Sequence, residues 1–128
     1  MKYLIDTHIL LWIAYNPDKL SEPAQKIIED TDNQLLFSAV SMWEIAIKST
    51  LNKDNFFVDA RILKRELMEH DYHELPITSA NTLEIIQLPD YHKDPFDRLL
   101  IAQANYEGIL LMTSDKLLAK YSDTILVV

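Results

Sequence analysis

The sequence predicts an α/β fold, with a mostly parallel sheet covered by helices on both faces. Three observations lead there. Short apolar runs alternate with amphipathic stretches along the chain. The run Ile109 to Met112 is apolar at every position, as a parallel strand covered on both sides must be. Helix punctuation falls between the runs: Ser21 with Pro23, Asp94 with Pro95, and Gly108.

The elements follow in order. Residues 2 to 6 read as the first strand. Ile9 to Tyr15 reads as a helix, closed by the turn Asn16-Pro17-Asp18. Ser21 caps a second helix that carries Ala24, Ile27 and Ile28 on one face. Asp32-Asn33 is a turn, and Gln34 to Phe37 a short strand. Ser38 or Ser41 caps a helix reaching Thr50. Residues 52 to 56 form a polar loop. Val58 to His70 is an amphipathic helix, with Ile62, Leu63 and Leu67 inward and Arg61, Lys64 and Arg65 on its solvated face. His73 to Pro76 is a short strand. Thr78 or Ser79 caps a helix through Leu88, and Asp94 caps the next, with Gly108 at its C′ position. After the strand 109–112, a short helix runs from Asp115 to Lys120, and Thr124 to Val127 is the last strand.

With 128 residues and 48% hydrophobic residues, the chain reads as one domain, residues 1–128, able to bury a self-supporting core. It has no cysteine, which excludes disulfides, zinc–thiolate sites and thiol nucleophiles. It has one glycine, which excludes a Gly-rich phosphate loop and a dinucleotide fingerprint. No apolar run approaches the roughly 20 residues that span a bilayer. No signal peptide is visible at the start, so the expected location is cytoplasmic. The net charge of −8 argues against broad electrostatic binding of nucleic acid. It suits a basic partner, or a site where cations bridge to an anionic substrate.

The chemistry lies in the acids. Asp6 sits between the apolar runs 3–5 and 9–14, where an unpaired charge costs several kcal/mol. In a parallel sheet, ligands bind outside the carboxyl ends of the strands. Asp6 ends the first strand and Asp115 stands three residues past Met112, so both fall on that edge. Glu44 shares a helical stripe with Val40, Ile47 and Leu51, although it also forms an i,i+4 pair with Lys48. Asp97 falls in the first turn after Asp94-Pro95. Dipole complementarity alone could account for both aspartates. Asp94 is expected to spend its carboxylate on capping, which leaves Asp97 free to project into a site. Asp115 or Ser114 could equally cap the helix after it. Thr7 and Ser41 are either caps or groups that orient a carboxylate or water, and His8 reads as structural or solvent-facing.

Each acid has a bland account, and their convergence on one sheet edge does not. Four carboxylates crowded together cannot all stay ionised without a cation. Oxygen ligands without His or Cys favour Mg²⁺ or Mn²⁺, a centre suited to phosphoryl chemistry.

The segments Leu4-Ile-Asp-Thr-His8, Ser41-Met-Trp-Glu-Ile-Ala-Ile47, Asp94-Pro-Phe-Asp-Arg-Leu-Leu-Ile-Ala-Gln-Ala104 and Leu111-Met-Thr-Ser-Asp115, in that order, resemble a PIN domain, and more closely a VapC-like toxin ribonuclease. The resemblance covers nearly the whole chain. It implies an α/β/α sandwich and places the family's acidic quartet on Asp6, Glu44, Asp97 and Asp115, with Asp94 able to share or take over the third position. It implies Mg²⁺- or Mn²⁺-dependent endoribonuclease activity, a homodimer, and an antitoxin whose basic tail reaches the acidic site. Lys48, Lys93, Arg98 and Lys116 neighbour the quartet and are candidate RNA contacts. Residues 52–76 could cover the site or build the dimer.

Three other readings compete: a PIN-type nuclease acting on DNA or in RNA processing without an antitoxin, an inactive PIN-like binding module, and a haloacid-dehalogenase-type phosphatase. The binding module is disfavoured because all four acidic positions are filled. The phosphatase needs Asp-x-Asp after the first strand, where this chain has Asp6-Thr7-His8.

Overall fold

The computed structural model describes residues 1–128, with Lys53 described by its backbone alone. Five strands form one parallel sheet: β1 (Lys2–Ile5), β2 (Gln34–Ser38), β3 (His73–Leu75), β4 (Leu110–Thr113) and β5 (Ile125–Val127). Six α-helices accompany them: α1 (Thr7–Tyr15), α2 (Glu22–Glu29), α3 (Ala39–Leu51), α4 (Ala60–Glu69), α5 (Ser79–Leu83) and α6 (Pro95–Glu107).

The strand order is β3-β2-β1-β4-β5. The chain steps outward from β1 to β3, then returns to the other side of β1 for β4. The order therefore reverses between β1 and β4, where an open parallel sheet leaves a crevice at its carboxyl edge.

Both faces of the sheet are apolar, for the reason seen in the run 109–112. Tyr3, Ile5, Leu35, Phe37 and Met112 enter one core with Ile9 and Leu10 of α1 and Leu63 and Leu67 of α4. Leu4, Leu36, Leu111 and Ile125 enter the other with Leu99, Leu100, Ile101 and Ala104 of α6. Successive side chains of a strand point to opposite faces, so each central strand feeds both cores. Among the described residues, no helix is long and apolar enough to cross a membrane.

Several boundaries differ from the sequence reading. β1 ends at Ile5, and α1 starts at Thr7 rather than Ile9, which makes Asp6 its N-cap residue. α4 starts at Ala60 rather than Val58, because the Asp59 carboxylate accepts the Arg61 N–H and opens the helix there. The helix expected through Leu88 is α-helical to Leu83 and 3-10 over Glu84–Gln87. The segment after Asp115 is a 3-10 helix, Lys116–Tyr121. Ser38 caps α3 through the Val40 N–H, while Ser41 bonds to Thr7 instead. Gly108 ends α6 at φ +67°, a left-handed conformation that a residue without Cβ adopts without strain.

Candidate metal centre at the carboxyl edge

Asp6 follows β1 directly, at the crevice. It is 3% exposed, and its backbone N–H donates to Met112 O at 2.9 Å. An aspartate at an N-cap normally spends its carboxylate on the first-turn N–H groups. Asp6 makes no such capping bond. Its Oδ2 accepts the Thr113 hydroxyl at 2.6 Å, and its Oδ1 is buried without a hydrogen-bond partner among the described residues. Burial pushes its carboxyl above the ordinary range, against the opposing pull of the Thr113 hydrogen bond.

Glu44 projects from the second turn of α3 and is 4% exposed. The expected i,i+4 pair does form, with Lys48 Nζ 2.5 Å from Oε2, but the glutamate is not the surface residue that such a pair suggests. Its Oε1 is the second buried oxygen with no partner among the described residues. The stripe expected through Leu51 is buried only in its first turns, since Leu51 is exposed. Lys48 is stabilised as a cation: burial pulls its ammonium down, but the Glu44 hydrogen bond and charge outweigh it.

Asp97 and Asp94 open α6. Asp94 Oδ1 accepts the N–H groups of Phe96 and Asp97 at 2.8 and 3.3 Å, as a cap does. The cap is thus made by Asp94, and the Asp97 carboxylate takes no part in it. Its carboxyl is pushed up to about 7, first by burial and then by the charges of Asp6, Asp94, Glu44 and Asp115. All of those carboxylates therefore lie within electrostatic reach of it. Asp115 has two roles: Oδ1 caps the 3-10 helix through the Leu117 N–H, and Oδ2 faces the site.

Two residues here escaped the sequence reading. Thr113 donates its hydroxyl proton to Asp6 and accepts the Asp115 N–H at 3.1 Å, so one hydroxyl connects two of the acids. The signal is positional. Ile5 pairs with Met112 in register, so the next residues of the two strands, Asp6 and Thr113, emerge side by side. His92 Nε2 lies 3.3 Å from Asp97 Oδ2 and 3.7 Å from Asp115 Oδ2. Its Nδ1 accepts the Asp94 N–H at 3.0 Å.

Arg98 is a correction. Its Nη1 donates to Pro89 O at 2.9 Å, His92 O at 3.4 Å and the Tyr121 hydroxyl at 3.3 Å. It is committed to holding the loop before α6 and is not a free RNA-binding cation. Lys48 is engaged by Glu44, while Lys93 and Lys116 are exposed.

The donor set suits a hard divalent cation. Two buried anionic oxygens without partners are costly unless something positive meets them. Like charges that raise one another's pKa are relieved by the same means.

Residues 3–123 match the PIN domain family model. The chain belongs to the PIN domain family. It is 29% identical over 119 residues to Ribonuclease VapC22 of Mycobacterium tuberculosis (strain ATCC 25618 / H37Rv), an alignment covering 92% of this chain and 90% of that protein. Its fold is similar to the crystal structure of VapBC2 from Rickettsia felis, bound to a DNA fragment from their promoter. The TM-score is 0.70 at 14% identity, over 100% of this chain and 98% of that one. A domain of a functionally unknown protein from Methanocaldococcus jannaschii DSM 2661 superposes with a TM-score of 0.56 at 16% identity, over 99% and 90% of the two chains.

Proposed function

We propose that this chain is a Mg²⁺- or Mn²⁺-dependent endoribonuclease, the toxin of a toxin–antitoxin pair. One observation supports the reading: Asp6 Oδ1 and Glu44 Oε1 are buried with no hydrogen-bond partner among the described residues, and the charges of Asp6, Glu44 and Asp115 all push the Asp97 carboxyl up. The similarity to a protein named as a ribonuclease supports the same conclusion.

The four acids would hold the cation, with Thr113 and the Asp94 cap fixing the elements that carry them. When bound, the metal would lower the pKa of a water, orient it in line with the phosphorus and stabilise charge on the leaving oxygen. The chain supplies the rest. Burial of Asp6 and Glu44 keeps bulk water from screening the centre. A cavity of about 500 Å³ lies beside Glu44, lined by Thr7, His8, Leu11, Lys48, Asn55 and Phe56. A strand of RNA leaving the metal along this cavity would meet the Lys48 ammonium and the Phe56 ring. This gives the loop after α3 a role in lining the substrate path.

Partners follow from the charge. An acidic chain, net −8, with an acidic crevice is suited to a basic antitoxin tail lying in that crevice. The resemblance to VapC-like toxins gives this chain the same proposed partner, and with it a homodimeric state and a cytoplasmic location.

The test is cleavage of end-labelled single-stranded RNA and of matched DNA by the purified chain, with Mg²⁺, with Mn²⁺ and with EDTA. Primer extension then maps the cuts. RNA cleavage that requires the divalent ion is expected. Metal-independent cleavage, or cleavage of DNA alone, contradicts the reading.

A further inference from the structure

His92 is the imidazole that lies against both Asp97 and Asp115, and its position is built rather than incidental. The Tyr121 hydroxyl accepts the backbone N–H groups of Tyr91 and His92 at 3.1 and 2.6 Å, and Arg98 Nη1 donates to the His92 carbonyl at 3.4 Å. The imidazole is 20% exposed, and Nε2 faces Asp97 and Asp115, with the three ligating atoms within 4.8 Å of one another. Distance alone makes His92 a candidate metal ligand.

The other ring nitrogen decides against that. Nδ1 accepts the Asp94 backbone N–H at 3.0 Å. An atom that accepts a hydrogen bond carries no proton, so the ring proton is on Nε2. A metal ligated through Nε2 needs that lone pair free and the proton on Nδ1, where it would meet the Asp94 N–H donor to donor. Ligating histidines have the opposite arrangement, with the second nitrogen donating to an acceptor.

We propose that His92 is a positioning residue of this centre. It turns its Nε2–H toward Asp97 Oδ2 at 3.3 Å, with Asp115 Oδ2 next at 3.7 Å, and it does not ligate the cation. The centre is then an all-oxygen site, matched to Mg²⁺ and Mn²⁺ rather than to ions that seek nitrogen. This inference rests on the metal-dependent reading above and says which atoms that centre uses.

Three measurements test it. In metal-free protein labelled with ¹⁵N-histidine, long-range proton–nitrogen correlation should find the His92 proton on Nε2. A proton on Nδ1 overturns the assignment. In Mn²⁺-loaded protein, pulsed electron paramagnetic resonance should show no directly bound nitrogen. A coupling present in the wild type and absent in His92→Gln overturns it too. Mn²⁺ affinity, read by the same resonance, should weaken about 10-fold in His92→Phe, which has no donor. His92→Gln should stay close to wild type, because its amide can still donate. Wild-type affinity in folded His92→Phe removes the positioning role. A wild-type chain that takes up no Mn²⁺ overturns the functional reading beneath it, and this role with it, whatever the tautomer.

Discussion

The Thr113 hydroxyl donates to Asp6 Oδ2 at 2.6 Å, joining residues 107 positions apart in the chain. The bond occupies one oxygen of Asp6, while the other, Oδ1, is buried with no hydrogen-bond partner among the described residues. It also makes a testable demand. Thr113→Val keeps the shape and removes the hydroxyl, so a buried carboxylate oxygen and the Asp115 N–H both lose their partner. We expect a loss of about 1–3 kcal/mol, measured by urea denaturation without metal. Thr113→Ser should restore most of it.

Lys48 gives Glu44 its only ionic partner among the described residues. Lys48→Met should leave that buried carboxylate uncompensated and destabilise the metal-free protein by about 1–2 kcal/mol. A divalent cation should recover part of the loss. A deficit equal with and without Mg²⁺ would show that Glu44 faces no cation.

The pH dependence has a definite sign. Asp97 has a folded-state carboxyl pushed up to about 7 from 3.8, so the metal-free native state holds its proton more firmly than the unfolded chain does. Its contribution to stability is full below about pH 4 and is lost as the pH rises through about 7. Metal-free protein should therefore melt at lower temperature at pH 8 than at pH 6. Asp97→Asn should flatten that slope and stabilise the metal-free protein at pH 8 by about 1–2 kcal/mol. Thermal melts across pH 5 to 8, with and without the substitution, check this.

Asp94 and Asp97 separate by role. Asparagine is also a good N-cap, so Asp94→Asn should keep α6 and the Asp94 N–H bond to His92. We expect it to retain most cleavage activity, whereas Asp97→Asn loses it by more than about 100-fold. Equal losses in the two variants would give Asp94 a share of the metal.

The sequence showed the sheet because β1, β2 and β4 are apolar on both faces, and it showed α6 because Asp94, Pro95 and Gly108 mark its ends. It misplaced the start of α4 because Asp59, a cap, lies inside a stretch where Val58 already reads as apolar periodicity. Asp6 and Asp115 were legible as strand-end acids. Glu44 was not fully so: an i,i+4 partner in sequence says nothing about burial, and the two coexist here. Thr113 and His92 were hidden for a different reason. Their partners are fixed by strand register and by a loop that Tyr121 and Arg98 hold, and neither leaves a periodic trace. Arg98 was misread because adjacency to Asp97 in sequence suggested a substrate contact, while its guanidinium turns back onto the loop.

The most direct measurement is cleavage of single-stranded RNA in Mg²⁺ by wild type and by Asp6→Asn, each shown by circular dichroism to be folded. Asparagine keeps the size of Asp6 and its acceptor for Thr113 but removes the charge. Mg²⁺-dependent cleavage by the wild type, and none by the variant, is the expected result. Cleavage by Asp6→Asn at the wild-type rate would contradict it.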